Sequence, residues 1–121
     1  MMKRQILVWV LLSLVLLLSG CTSNGNGQTA WQKINDGALL VDVRSPAEVE
    51  QGHLQGALLI PHTQVAGRLA EFGDDKSRAI VLYCKSGGRA AKAQKVLEEN
   101  GFTNITNAGG YQDLMESMPK S

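Results

Sequence analysis

Cys84-Lys85-Ser86-Gly87-Gly88-Arg89 sets one thiol at the head of a short glycine-rich loop that closes on an arginine. Upstream, residues 79–83 form an apolar run that reads as a buried strand, and downstream residues 90–99 read as a helix. A thiol between a strand end and a helix N-terminus faces unpaired backbone N–H groups and the positive end of the helix dipole. That setting favours the thiolate, which is the nucleophilic form of cysteine. Lys85 and Arg89 add two cationic side chains, so the loop is suited both to activate sulfur and to hold a small oxyanion. Gly87 and Gly88 let the backbone curl and turn its amides inward. An inert core cysteine is the simpler alternative, but these neighbours build an anion site rather than a core.

The elements that must position this loop follow from the rest of the pattern. Strand-like and helix-like segments alternate over residues 29–118, the signature of an α/β domain with a mainly parallel sheet flanked by helices. Residues 29–36 read as a helix stopped by Gly37, and 39–43 as an apolar strand carrying Asp42. Ser45, Pro46 and Glu48 form a capping box, with proline at the first helical position and glutamate three residues after the cap. Residues 57–60 read as a second strand ended by Pro61. Val65, Leu69 and Phe72 recur at helical spacing, which predicts an amphipathic helix ending at Gly73. Gly101 is placed to terminate the helix after the loop. A last short strand is expected over 102–107, followed by a turn at Gly109-Gly110 into a terminal helix.

The chain has 121 residues, room for one domain, and part of that length precedes the domain. Met1-Met2-Lys3-Arg4 is a basic start, and residues 6–18 are apolar apart from Ser13. This run is shorter than the roughly 20 residues that span a bilayer and has the proportions of a secretory leader. It ends in Leu18-Ser19-Gly20-Cys21, which resembles a bacterial lipobox. The resemblance implies a signal peptide over 1–20, cleavage before Cys21, and acyl chains on that residue. An ordinary leader with an incidental cysteine is the alternative. A lipid anchor of more than one chain would hold the protein to a membrane without a spanning helix. Thr22 stands where an aspartate commonly marks inner-membrane retention, which favours the outer membrane, and a periplasmic domain, in a cell with two membranes. Residues 21–28 then serve as a flexible tether.

Removal of Lys3 and Arg4 leaves ten basic against eleven acidic side chains, and no basic tract or aromatic platform suggests nucleic acid. The chain has two cysteines. With Cys21 lipidated, Cys84 is the only free thiol, an unusual state outside the cytoplasm and itself a mark of reactivity.

Taken together, several segments resemble the rhodanese, or sulfurtransferase, homology domain. Leu40-Val41-Asp42-Val43-Arg44-Ser45-Pro46-Ala47-Glu48, with Gly52-His53-Leu54-Gln55-Gly56-Ala57 and Ile60-Pro61, resembles the family's amino-terminal signature. Tyr83 through Ala91 resembles its active-site loop, and Gly101-Phe102 with Asn107-Ala108-Gly109-Gly110-Tyr111 its carboxy-terminal signature. The resemblance implies that Cys84 attacks the outer sulfur of a donor such as thiosulfate, releases sulfite, carries a persulfide and passes that sulfur to a thiol or to cyanide. The amides of residues 85–89 would stabilise the charged sulfur, Lys85 and Arg89 would bind the donor's sulfonate, and Ser86 would donate its hydroxyl to the persulfide. No cofactor is implied. An envelope protein is one candidate for the acceptor.

Loop length discriminates within the resemblance. Cys84 and Arg89 enclose four residues, as in sulfur-transferring members. Phosphatase and arsenate-reducing members enclose a wider loop. Asp42 and Arg44 sit where pairing and capping are structural tasks, so they are expected to support the site rather than react. His53 and His62 are too few for a metal, although His62 is a candidate neighbour of the site. Trp31 is expected to anchor the domain's start. Many family members carry tryptophan a few residues after the paired glycines, whereas Leu114 stands there in this chain. A wall of pocket or core is therefore altered. A rival reading to the enzyme is a persulfide carrier module that turns over poorly alone.

Overall fold

Alternation along the central strand sets the architecture. In the computed structural model, which describes residues 25–119, β3 (Ile80–Cys84) is buried along its whole length. Successive side chains of a strand face opposite ways. Ile80, Leu82 and Cys84 accordingly enter one core cluster, while Val81 and Tyr83 enter the other. β1 (Leu39–Asp42) and β4 (Ile105–Gly110) pair with β3 on either side, and β2 (Leu58–Leu59) pairs with β1. All pairings are parallel, in the order β2–β1–β3–β4. The α/β expectation therefore holds.

A parallel sheet is stable only with both faces covered. On one face, α3 (Gly88–Glu99) buries Ala90, Ala93 and Leu97 with Val65, Phe72 and Phe102. On the other, α1 (Gly25–Asn35) contributes Ala30 and Trp31, and α4 (Tyr111–Glu116) contributes Leu114. The Trp31 indole N–H donates to the Leu114 carbonyl at 2.9 Å, tying the first helix to the last. Leu114, which stands where many family members carry tryptophan, is wholly buried beside Trp31, so the departure alters the core rather than a pocket wall.

Three expectations need correction. α1 begins at Gly25, so it takes in the last residues of the segment read as a tether. Docking of Ala30 and Trp31 on the sheet supplies the tertiary support that glycine and asparagine lack as helix formers. The stretch around Val65 and Phe72 is not one α-helix. It forms two 3₁₀ segments, His62–Gly67 and Leu69–Phe72, interrupted at Arg68 (φ −127°, ψ 30°). Gly67 is a weak helix former, and no side chain caps the first segment. β4 runs on to Gly110, past the expected end at Asn107, with a register shift opposite the end of β3. The leader over 1–20, the lipidation site Cys21 and the first tether residues lie outside the described residues. No helix among the described residues is long and apolar enough to cross a membrane.

Strand order reverses between β1 and β3: the chain leaves β1 towards β2 and leaves β3 towards β4. Such a switch point opens a crevice at the carboxyl ends of the strands, where open α/β sheets bind ligands. The connections that follow β1 and β3 meet there.

Candidate active site

Cys84 is the last residue of β3 and is fully buried. Burial alone would suit an inert thiol. What sets this sulfur apart is the Gly87 N–H, which donates to Sγ at 2.9 Å. Gly87 reaches that position with φ +96°, a left-handed conformation open to glycine. The N–H groups of Ser86, Gly88 and Arg89 have no backbone acceptor among the described residues. Those of Gly88 and Arg89 belong to the first turn of α3, where helical geometry supplies none. One loop amide thus already holds the sulfur, and three others beside it keep their donors uncommitted to backbone.

The end of β4 moulds the loop from below. The Asn107 amide donates to the Gly87 carbonyl at 3.0 Å, and its Oδ1 accepts the Gly109 N–H at 2.9 Å. A Cβ added at Gly110 would collide with the Lys85 carbonyl oxygen. Asn107 and Gly110 lie in the carboxy-terminal signature, whose sequence alone gives neither a part in the site. Their contacts to the loop become visible only once β4 lies beside β3.

Arg89 is not left free for the donor's sulfonate, as expected, but is paired. It forms a fork-to-fork pair with Glu48, Nη1 to Oε1 at 2.6 Å and Nη2 to Oε2 at 2.8 Å. Glu48 lies in α2 (Pro46–Glu50) and closes the capping box, accepting from the Ser45 N–H at 3.2 Å and its hydroxyl at 2.9 Å. Arg89, and then Ser45, hold the Glu48 carboxyl well below the usual carboxylate range. The same pairing raises the Arg89 guanidinium further. From its local sequence Glu48 is only a cap. Its second partner is distant in sequence, so no local pattern could show it.

Asp42 and Arg44 behave as structural partners. Arg44 Nη2 donates to Asp42 Oδ2 at 2.7 Å and to the Gly52 carbonyl at 2.8 Å. Arg44 Nε donates to Asp42 Oδ1 at 3.0 Å, and the guanidinium carbon stands 4.4 Å from the Tyr111 ring centre. The Asp42 contact raises Arg44 above its ordinary value, and burial pushes the Tyr83 hydroxyl up. Above this layer is a cleft of 350 Å³ lined by Arg44, Glu48, Gln51, Lys85, Tyr111 and Gln112. Lys85 is exposed and makes no ion pair among the described residues. Ser86 is exposed and its hydroxyl makes no hydrogen bond among the described residues. His53 is exposed with Nδ1 2.9 Å from the Leu54 carbonyl, and neither it nor His62 lines this cleft. No cluster of His, Cys, Asp or Glu suited to a metal occurs among the described residues.

A family model for the Rhodanese-like domain matches residues 27–117. The chain belongs to the rhodanese-like family. The thiosulfate sulfurtransferase PspE of Escherichia coli (strain K12) is 40% identical over 80 residues, 66% of this chain and 75% of that protein. A sulfurtransferase of Allochromatium vinosum is 39% identical over 72 residues, 60% of this chain and 65% of that protein. Among solved structures, a rhodanese with anions from E. coli superposes with a TM-score of 0.62 at 38% identity, covering 70% of this chain and 98% of that one. The rhodanese-like domain thus accounts for nearly all of the described residues.

Proposed function

We propose that this rhodanese-like domain is a sulfurtransferase that moves sulfane sulfur from thiosulfate or a similar donor to a thiol or cyanide through a persulfide on Cys84. The observation that carries the reading is the Gly87 N–H on Cys84 Sγ at 2.9 Å, in a loop where the Ser86, Gly88 and Arg89 N–H groups have no backbone acceptor among the described residues. The name of the PspE relative and the anions in the E. coli rhodanese structure support it. In the first step the Cys84 thiolate attacks the outer sulfur of thiosulfate. The new S–S bond forms as the bond to the sulfonate breaks, and sulfite departs with that electron pair. In the second step an acceptor thiolate, or cyanide, attacks the outer sulfur and Cys84 leaves as thiolate, so the scheme is ping-pong. The loop amides stabilise charge on the transferred sulfur, and Lys85 attracts the sulfonate. We further propose that the leader and Cys21 anchor the protein by lipid in the cell envelope, on the periplasmic or other extracytoplasmic face.

The complete burial of Cys84 beside a modest cleft favours, as a second reading, a carrier that delivers its persulfide to a partner protein. Thiosulfate:cyanide transfer by the chain truncated before Ser23, with mass spectrometry and Cys84→Ser alongside, separates the two. Turnover with an adduct of about +32 Da, one sulfur, absent in Cys84→Ser, is the expected result. An adduct without turnover selects the carrier. No adduct from any sulfane donor sinks both.

A further inference from the structure

The sequence offers Arg89 to an anion, and the fold withdraws it. Both terminal nitrogens of Arg89 are committed to Glu48, and Glu48 is itself fixed by two donors from Ser45. The pair therefore clamps the start of α3 to the start of α2 across the crevice. With side chains 27% and 29% exposed, it stands at the mouth and not in the core. Lys85 is left as the unpaired cation of the adjoining cleft among the described residues.

We propose that Glu48 determines which anions the Cys84 loop admits, by neutralising Arg89 so that an oxyanion meets only the loop amides and Lys85. A simple tetrahedral anion such as sulfate then binds weakly. An anion that also offers a sulfur to Cys84 binds productively, and the sulfite it leaves is released without a second cation to detain it. Glu48 is a positioning residue: it acts through Arg89 and touches no reacting atom. The sulfur half of this inference rests on the sulfurtransferase reading, whereas the anion half rests on the Glu48–Arg89 geometry alone.

The test uses the full-length chain in detergent micelles carrying Cys84→Ser. It is titrated with sodium sulfate at constant ionic strength, and binding is read from the amide shifts of Gly87 and Gly88. Glu48→Gln keeps a residue type that completes capping boxes while removing the charge that holds Arg89. It is expected to tighten sulfate about fivefold, the scale of one partly exposed charge contact. Adding Arg89→Gln should erase that gain. With Cys84 restored, Glu48→Gln should lower KM for thiosulfate and strengthen inhibition by sulfite, with kcat reduced by slow release. Unchanged sulfate binding in Glu48→Gln overturns the proposal. So does a large loss of sulfate binding from Arg89→Gln alone, since Arg89 would then already face the anion. If the sulfate pattern holds while no variant forms a persulfide, the role of Glu48 stands and sulfur transfer falls.

Discussion

Two arginine–carboxylate pairs flank the crevice, Asp42–Arg44 and Glu48–Arg89, and they differ chiefly in depth. The first has side chains 1% and 8% exposed and is sealed by the Tyr83 and Tyr111 rings. The second is more than a quarter exposed at the loop mouth. A charge shut away from water must keep its partner, because the lone ion left behind has nowhere to solvate. A pair at the surface loses little when broken, so its value lies in where it holds its members. Depth thus assigns the inner pair to architecture and leaves the outer one adjustable.

The contrast can be broken most forcefully at Asp42. Asp42→Asn keeps the shape and strands Arg44, and should cost about 3–5 kcal/mol in urea unfolding. A loss well below 1 kcal/mol would deny the inner pair its structural role. Next comes Gly110→Ala, whose Cβ presses on the Lys85 carbonyl. Overpacking there should cost about 1–3 kcal/mol, and displacement of the loop should slow sulfur transfer about tenfold or more. Stability lost with the transfer rate intact would show that β4 does not shape the loop. The smallest effect sharpens the outer pair. Glu48 has a depressed pKa in the folded chain, so its contribution is complete above the unfolded glutamate value of about 4.3 and fades as pH falls from there towards the folded value. Screening at this exposure limits it to about 1 kcal/mol or less. The stability difference between the parent and Glu48→Gln should therefore be greatest near neutral pH and shrink below about pH 4. A difference unchanged into acid would remove the ion pair as its source.

Features set by nearby residues were legible in the sequence. The capping box at Ser45 and Glu48 depends on contacts three residues apart, and it formed as expected. The Cys84 loop was legible too, since strand, glycines and helix follow one another directly. What escaped depended on the crossover topology. Glu48 meets Arg89, and Asn107 meets Gly87, only after parallel strands bring separate connections side by side. The 3₁₀ segments escaped for another reason: Val65 and Phe72 can both reach the core without a continuous helix between them, so burial alone did not specify the backbone.

A sulfur with no surface of its own also acts as a clock. Cys84 contributes nothing to the accessible surface, so every reagent, donor or alkylating agent, reaches it only in moments when the loop stands open. When reclosing outpaces capture, the rate of iodoacetamide trapping at Cys84 under native conditions reports how often that open form is populated. When capture outpaces reclosing instead, the trapping rate becomes the opening rate itself, and that rate is a ceiling on the first half of any catalytic cycle, whatever the chemistry at the sulfur.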